Sequence, residues 1–101
     1  MAYMLNISFV VEPTIYGNWY SFMYDKFIPF VKESGKYQKV IFSRILSEGV
    51  SNHYTFSLLL DLESLDGYHY LNNEIMKEYM EFAEPMFGVK VTHFVTLMKK
   101  I

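Results

Sequence analysis

Tyr3-Met4-Leu5-Asn6-Ile7-Ser8-Phe9-Val10-Val11 alternates, whereas Ile15 to Phe27, a few residues on, does not. In the first stretch Leu5, Ile7, Phe9 and Val11 fall on one side and Met4, Asn6, Ser8 and Val10 on the other. That is the period of two of a β-strand, one face apolar and one mixed. Glu12-Pro13-Thr14 breaks it, with Thr14 placed to cap a helix. From Ile15 the apolar residues return every three or four positions, and Ile15, Trp19, Phe22, Met23 and Phe27 make one helical stripe. Tyr16, Tyr20 and Tyr24 make a second stripe beside it. Pro29 predicts a kink or restart, because proline cannot donate the backbone bond a helix needs. Gly35 suits the left-handed position that ends such a segment.

The rest of the chain repeats this grammar with one extra strand. A second strand is predicted from Tyr37 to Ser47, splitting Val40, Phe42 and Arg44 from Ile41, Ser43 and Ile45. Glu48-Gly49-Val50-Ser51-Asn52 reads as a hairpin loop. The third strand, His53 to Leu62, sets Tyr54, Phe56, Leu58 and Leu60 against Thr55, Ser57 and Leu59. Ser64 is placed to cap a second helix running from Leu65 to Phe82 or beyond. Its stripe is Leu65, Tyr68, Ile75, Tyr79, Phe82 and Met86, with Leu71 filling the gap left by Asn72. Gly88 closes it, and the last strand is Val89 to Met98. The order βαββαβ, spanning residues 1–101 as one α+β domain, closes naturally as a ferredoxin-like fold. The expected sheet has four antiparallel strands in the order 4-1-3-2, with both helices on one face.

Composition narrows the function classes. The hydrophobic fraction is 51% and the charged fraction 20%, as expected of a folded chain. Aromatic residues reach 19% of only 101 residues. Small domains bury proportionately less surface, so this much aromatic surface points to self-association. The net charge of −2 gives no general attraction to nucleic acid or anionic lipid. The third strand also lacks the glycine and basic residues of an RNA-recognition strand, and its aromatics share a face with Leu58 and Leu60. No cysteine is present, which removes disulfide and thiolate chemistry. The start, Met1-Ala2-Tyr3-Met4-Leu5-Asn6, has no basic leader pattern, and no apolar run is long enough to span a bilayer. A soluble cytoplasmic protein is the expectation.

The open face of the sheet is the informative one. Asn6, Ser8, Val10, Ile41, Ser43, Ile45, Ser57 and Leu59 are too apolar for a free surface and too polar for a core. Two such faces packed together predict a homodimer through the open sheet face. Three residues are candidates to hold a ligand: Asn6 on that face, Arg44 interrupting an apolar strand face, and His93 in the last strand. Alternation leaves open which face carries Arg44 and His93. His53 and His69 read as solvated side chains, and no histidine or carboxylate pair has metal-ligand spacing. Trp19 reads as packing. No phosphate loop, nucleophile elbow or Ser/His/Asp order is present, so neither metal nor cofactor is expected.

Several short motifs resemble an uncharacterised bacterial family, a domain of unknown function with a dimeric α/β-barrel fold. They are Asn6-Ile7-Ser8, Val11-Glu12-Pro13-Thr14-Ile15 leading to Trp19, Met23, Ile28-Pro29, Gly35, Arg44-Ile45-Leu46-Ser47, Phe87-Gly88 and Phe94-Val95-Thr96-Leu97. The family's usual histidine before Ile-Pro is Phe27 here, so any chemistry of that histidine is lost. The wider superfamily is similar to cofactor-free, antibiotic-biosynthesis-type monooxygenases and to haem-degrading monooxygenases. Of the Asn, Trp and His the haem-degrading members need, only Asn6 matches. Trp19 lies on a different helix, and His69 falls too early in its own. The resemblance therefore implies the fold and the dimer more than the enzyme. The sequence is read as a non-catalytic homodimer binding a small apolar or aromatic molecule. The alternative is a cofactor-independent monooxygenase or isomerase in which Asn6, Arg44 and His93 act on a small aromatic substrate.

Overall fold

A computed structural model describes residues 2–46 and 53–101. The hairpin loop expected at Glu48–Asn52 and the end of the second strand at Ser47 lie outside the described residues. Strands β1 (Tyr3–Val11), β2 (Lys39–Ile45), β3 (Tyr54–Leu62) and β4 (Val91–Lys99) form one antiparallel sheet in the order β2-β3-β1-β4. This is the order expected from the βαββαβ pattern. The sheet of the single chain is open, with β2 and β4 at its edges, and is not closed into a barrel.

The first helical segment comprises α1 (Tyr16–Phe22), a π turn at Met23–Phe27, and α2 (Ile28–Glu33). The second comprises α3 (Leu65–Tyr70), a π turn at Leu71–Ile75, and α4 (Met76–Phe87). Both cover the face of the sheet that carries Leu5, Ile7, Phe9 and Val11, and these side chains join Trp19, Met23, Ile75 and Tyr79 in one core. Pro29 falls just past the first π turn, near the start of α2, and the backbone stays helical through Phe27 and Ile28, so the interruption expected there is a widened turn and not a restart. Gly35, at φ 70°, ends the segment in the left-handed region.

Several local expectations are corrected. Thr14 is not a cap. Pro13 opens a 3-10 turn over Pro13–Ile15 with Glu12 at the capping position, and the Thr14 hydroxyl donates instead to Glu12 Oε1 at 3.4 Å. Proline carries the helical φ already, so the turn begins two residues before the stripe does. Ser64 does cap α3, its hydroxyl accepting the Asp66 N–H at 3.3 Å. β2 begins at Lys39 and not at Tyr37, whose hydroxyl donates to the Gly67 carbonyl oxygen at 3.0 Å. β4 begins at Val91, because Gly88–Lys90 form a 3-10 turn that leaves Val89 outside the sheet.

The second helical stripe is also re-phased. Leu65, Phe82 and Met86 are exposed, while Leu71, Ile75, Tyr79, Ala83 and Phe87 are buried at a steady spacing of four. A spacing of four drifts off a 3.6-residue helix, and a π turn, wider by one residue, takes up the drift. Hydropathy alone could not choose, since Phe82 and Ala83, like Met86 and Phe87, are both apolar. The two phases are separable by urea denaturation. Phe87→Ala is expected to cost about 3–5 kcal/mol, and Met86→Ala to stay within about 0.5 kcal/mol of neutral. The reverse order would restore the stripe through Phe82 and Met86.

Candidate functional site

Register places the candidate residues. On the open face, β2, β3, β1 and β4 align in rows across the sheet, one of them Ile41, Leu59, Asn6 and Thr96, the next Ser43, Ser57, Ser8 and Phe94. Asn6 thus sits at the middle of this face. Its Nδ2 donates to Ser8 Oγ at 2.9 Å, and the Ser57 hydroxyl donates to its Oδ1. Its amide is largely engaged by the sheet itself. Ile41 and Phe94, on the outer strands of the same face, are 45% and 59% exposed, so the polar centre has an apolar border. Asp61 closes one end of the face. Its carboxylate is buried and meets Lys100 Nζ at 3.4 Å, an ion pair whose alignment falls short of a hydrogen bond.

Arg44 and His93 lie on the other face, the helical one. They end the same cross-strand row, Arg44, Phe56, Phe9 and His93, with two strands between them. Three strand spacings separate them, about 14 Å. The Arg44 guanidinium lies 4.2 Å from the centre of the Tyr54 ring, a cation–π contact at the sheet edge. Beside it Tyr16, Tyr20, Tyr24 and Phe42 surround a small cavity of ≈ 180 Å³. The tyrosine stripe read from the sequence is therefore a second packing face. Tyr16 meets Tyr54 edge-on at 5.1 Å, and Tyr24 meets Phe42 at 5.8 Å.

His93 is half-buried at the opposite edge. Its ring stands edge-on to Tyr79 at 5.5 Å and lies 6.2 Å from Phe9. It faces a cavity of ≈ 370 Å³ between α4 and β4, whose walls include Tyr79, Met80, Ala83 and Val91. Burial lowers the His93 pKa below its ordinary 6.5, which keeps the imidazole neutral near physiological pH. A neutral imidazole offers one donor and one acceptor, enough to orient a hydroxyl or carbonyl of an otherwise apolar molecule.

The three candidates therefore occupy three separate environments: Asn6 on the open face, Arg44 and His93 at opposite edges of the helical face. Tyr79 is the residue that the sequence assigned to packing alone. It is buried, accepts the Trp19 indole N–H at 3.2 Å, and lines cavities on both sides of α4. Burial raises its pKa to about 12, against a small lowering from the Trp19 bond. The available signal was a tyrosine on a core stripe, whose hydroxyl has to find a partner. Among the described residues no group of three His, Cys, Asp or Glu side chains could hold a metal ion, and no helix is long and apolar enough to cross a membrane.

This arrangement defines an α+β protein of the ferredoxin-like class, and solved structures agree on the fold. An ethyl tert-butyl ether D (EthD) family protein from Bacillus halodurans superposes with a TM-score of 0.66 at 14% identity, over 95% of this chain and 97% of that one. A dimeric ferredoxin-like protein from an uncultured marine organism gives 0.61 at 10% identity, over 99% and 93%. One of unknown function from Thermobifida fusca gives 0.60 at 12% identity, over 98% and 92%. No curated protein matches the chain. The chain belongs to the family described as a domain of unknown function, DUF4286, which matches residues 2–101.

The setting of His93 has a measurable consequence. Its folded-state pKa is depressed, so its contribution to stability is complete above the unfolded value of 6.5 and is lost as the pH falls through the folded value. Unfolding midpoints are expected to drop more steeply between about pH 7.5 and about pH 5 in the wild type than in His93→Asn. Parallel profiles would mean that His93 is solvated.

Proposed function

We propose that this protein is a homodimer built through its open sheet face and that it holds a small apolar or aromatic molecule without transforming it. The observation that carries the dimer is the open face itself. Apolar Ile41, Ile45 and Phe94 stand exposed around the internally hydrogen-bonded Asn6, Ser8 and Ser57. A two-fold axis over such a face sets apolar border against apolar border, over a centre in which Asn6, Ser8 and Ser57 already bond to one another. Structural neighbours described as dimeric ferredoxin-like proteins support the same reading. A sheet that is open in one chain would then be covered by the sheet of the second.

The ligand is assigned to the cavity beside His93, whose largely apolar walls carry a neutral imidazole, with Thr92 and Glu84 also in the lining. The oxygenase or isomerase alternative required Asn6, Arg44 and His93 on one substrate, and their separation speaks against it.

Native mass spectrometry of the purified protein tests both parts. The expected species is a dimer of the 12.0 kDa chain carrying extra small-molecule mass. Phe94→Glu is expected to yield monomers, and His93→Phe to keep the dimer and lose the extra mass. A wild-type monomer at every concentration would overturn the dimer. Extra mass retained by His93→Phe would move the ligand elsewhere.

A further inference from the structure

A second cavity, of ≈ 340 Å³, lies between the two helical segments, on the side of the molecule away from the open sheet face. The first π turn, Met23–Phe27, forms part of one wall and contributes Asp25, Lys26 and Phe27 to its lining. The second, Leu71–Ile75, immediately precedes α4, whose Glu78, Tyr79 and Phe82 form the facing wall. A π turn re-aims the side chains around it, and such turns recur at binding sites.

The walls are aromatic. Phe22 lies 6.2 Å from Phe82 and 6.4 Å from Phe27 between ring centres, and Phe27 meets Tyr79 edge-on at 5.0 Å. Phe22, Phe27 and Tyr79 belong to the core, whereas Phe82 is 48% exposed and stands on the cavity wall. This accounts for an aromatic side chain that the core does not use. The charged lining is Asp25, Glu33 and Glu78 against the single cation Lys26. Among the described residues none of the three carboxylates is in an ion pair.

These features select a ligand. An anion is repelled by the carboxylates, and a neutral apolar molecule gains nothing from them. A cation with an apolar body satisfies both, because ring faces attract cations and the carboxylates add Coulombic attraction. We propose that this cavity binds a small organic ammonium ion, a tertiary or quaternary amine held against the exposed Phe82 ring and the half-buried Phe30, over a floor of Phe22, Phe27 and Tyr79 and with the acidic side chains around it. The site is separate from the His93 cavity and from the open sheet face, and stands whether or not the proposals about those hold.

The test is a titration of the full chain with choline and with 3,3-dimethyl-1-butanol, its uncharged counterpart of the same shape, followed by backbone amide NMR. Choline is expected to bind with a Kd of about 1 mM or tighter and to shift amides of residues 22–33 and 78–82. The uncharged alcohol is expected to bind about tenfold more weakly, and Phe82→Ala and Glu78→Gln to weaken choline by about threefold to tenfold each. Phe82 is exposed, so its removal leaves the core intact. Equal affinity for the alcohol, choline shifts outside these segments, no binding of choline, or unchanged affinity in both variants would each overturn the proposal.

Discussion

Trp19 reaches across the core to Tyr79, its indole N–H donating to the phenol oxygen at 3.2 Å, and both rings rest on Phe9 at 5.3 and 5.4 Å. This bond joins the two helical segments directly, at a point from which water is excluded. Two polar atoms in an apolar core have few partners to choose from, and each would carry a desolvation cost if left unpaired. The bond therefore restricts how α4 can rotate or slide against α1. It holds Tyr79 where one flank faces α2 and the other faces β4. The two larger cavities described above share that residue as a wall.

The π turns serve the same constraint. To keep Leu71, Ile75, Tyr79, Ala83 and Phe87 on the sheet, the second segment needs one turn wider than an α-helical turn, and Leu71–Ile75 supplies it. Met23–Phe27 does this for the first segment, carrying Met23 and Phe27 inward and leaving Asp25 and Lys26 exposed. What reads as irregularity along each helix is regular packing against the sheet. The polar groups that the packing does not use are displaced to the edges, where Arg44 caps the tyrosine face and His93 borders the cavity under α4.

The two faces of the sheet differ in how their polar groups are satisfied. On the helical face polar atoms are few and paired across long sequence distances, as in the Trp19–Tyr79 bond. On the open face Asn6, Ser8 and Ser57 satisfy one another locally, within and between adjacent strands. A face whose polar centre is already paired loses little when covered. Its apolar border, with Ile41, Ile45 and Phe94 exposed, has surface to remove from water.

Local periodicity determined most of the fold. The alternation in β1 and β3, the switch to a helical period after Pro13, and the stops at Gly35 and Gly88 depend on neighbouring residues alone, and they settled the order of elements along the chain and the inward faces of β1 and β3. The open face was legible for the same reason. Where adjacent apolar residues compete for one position, as Phe82 does with Ala83, hydropathy is silent, and only packing against the sheet chose between them. The faces of Arg44 and His93 were likewise undecided in strands of mixed pattern, until pairing with Phe56 and Phe9 assigned both to the helical side. The cavities on either side of α4 were beyond the sequence altogether. They depend on Trp19 meeting Tyr79, a contact between residues 60 positions apart that no local pattern encodes.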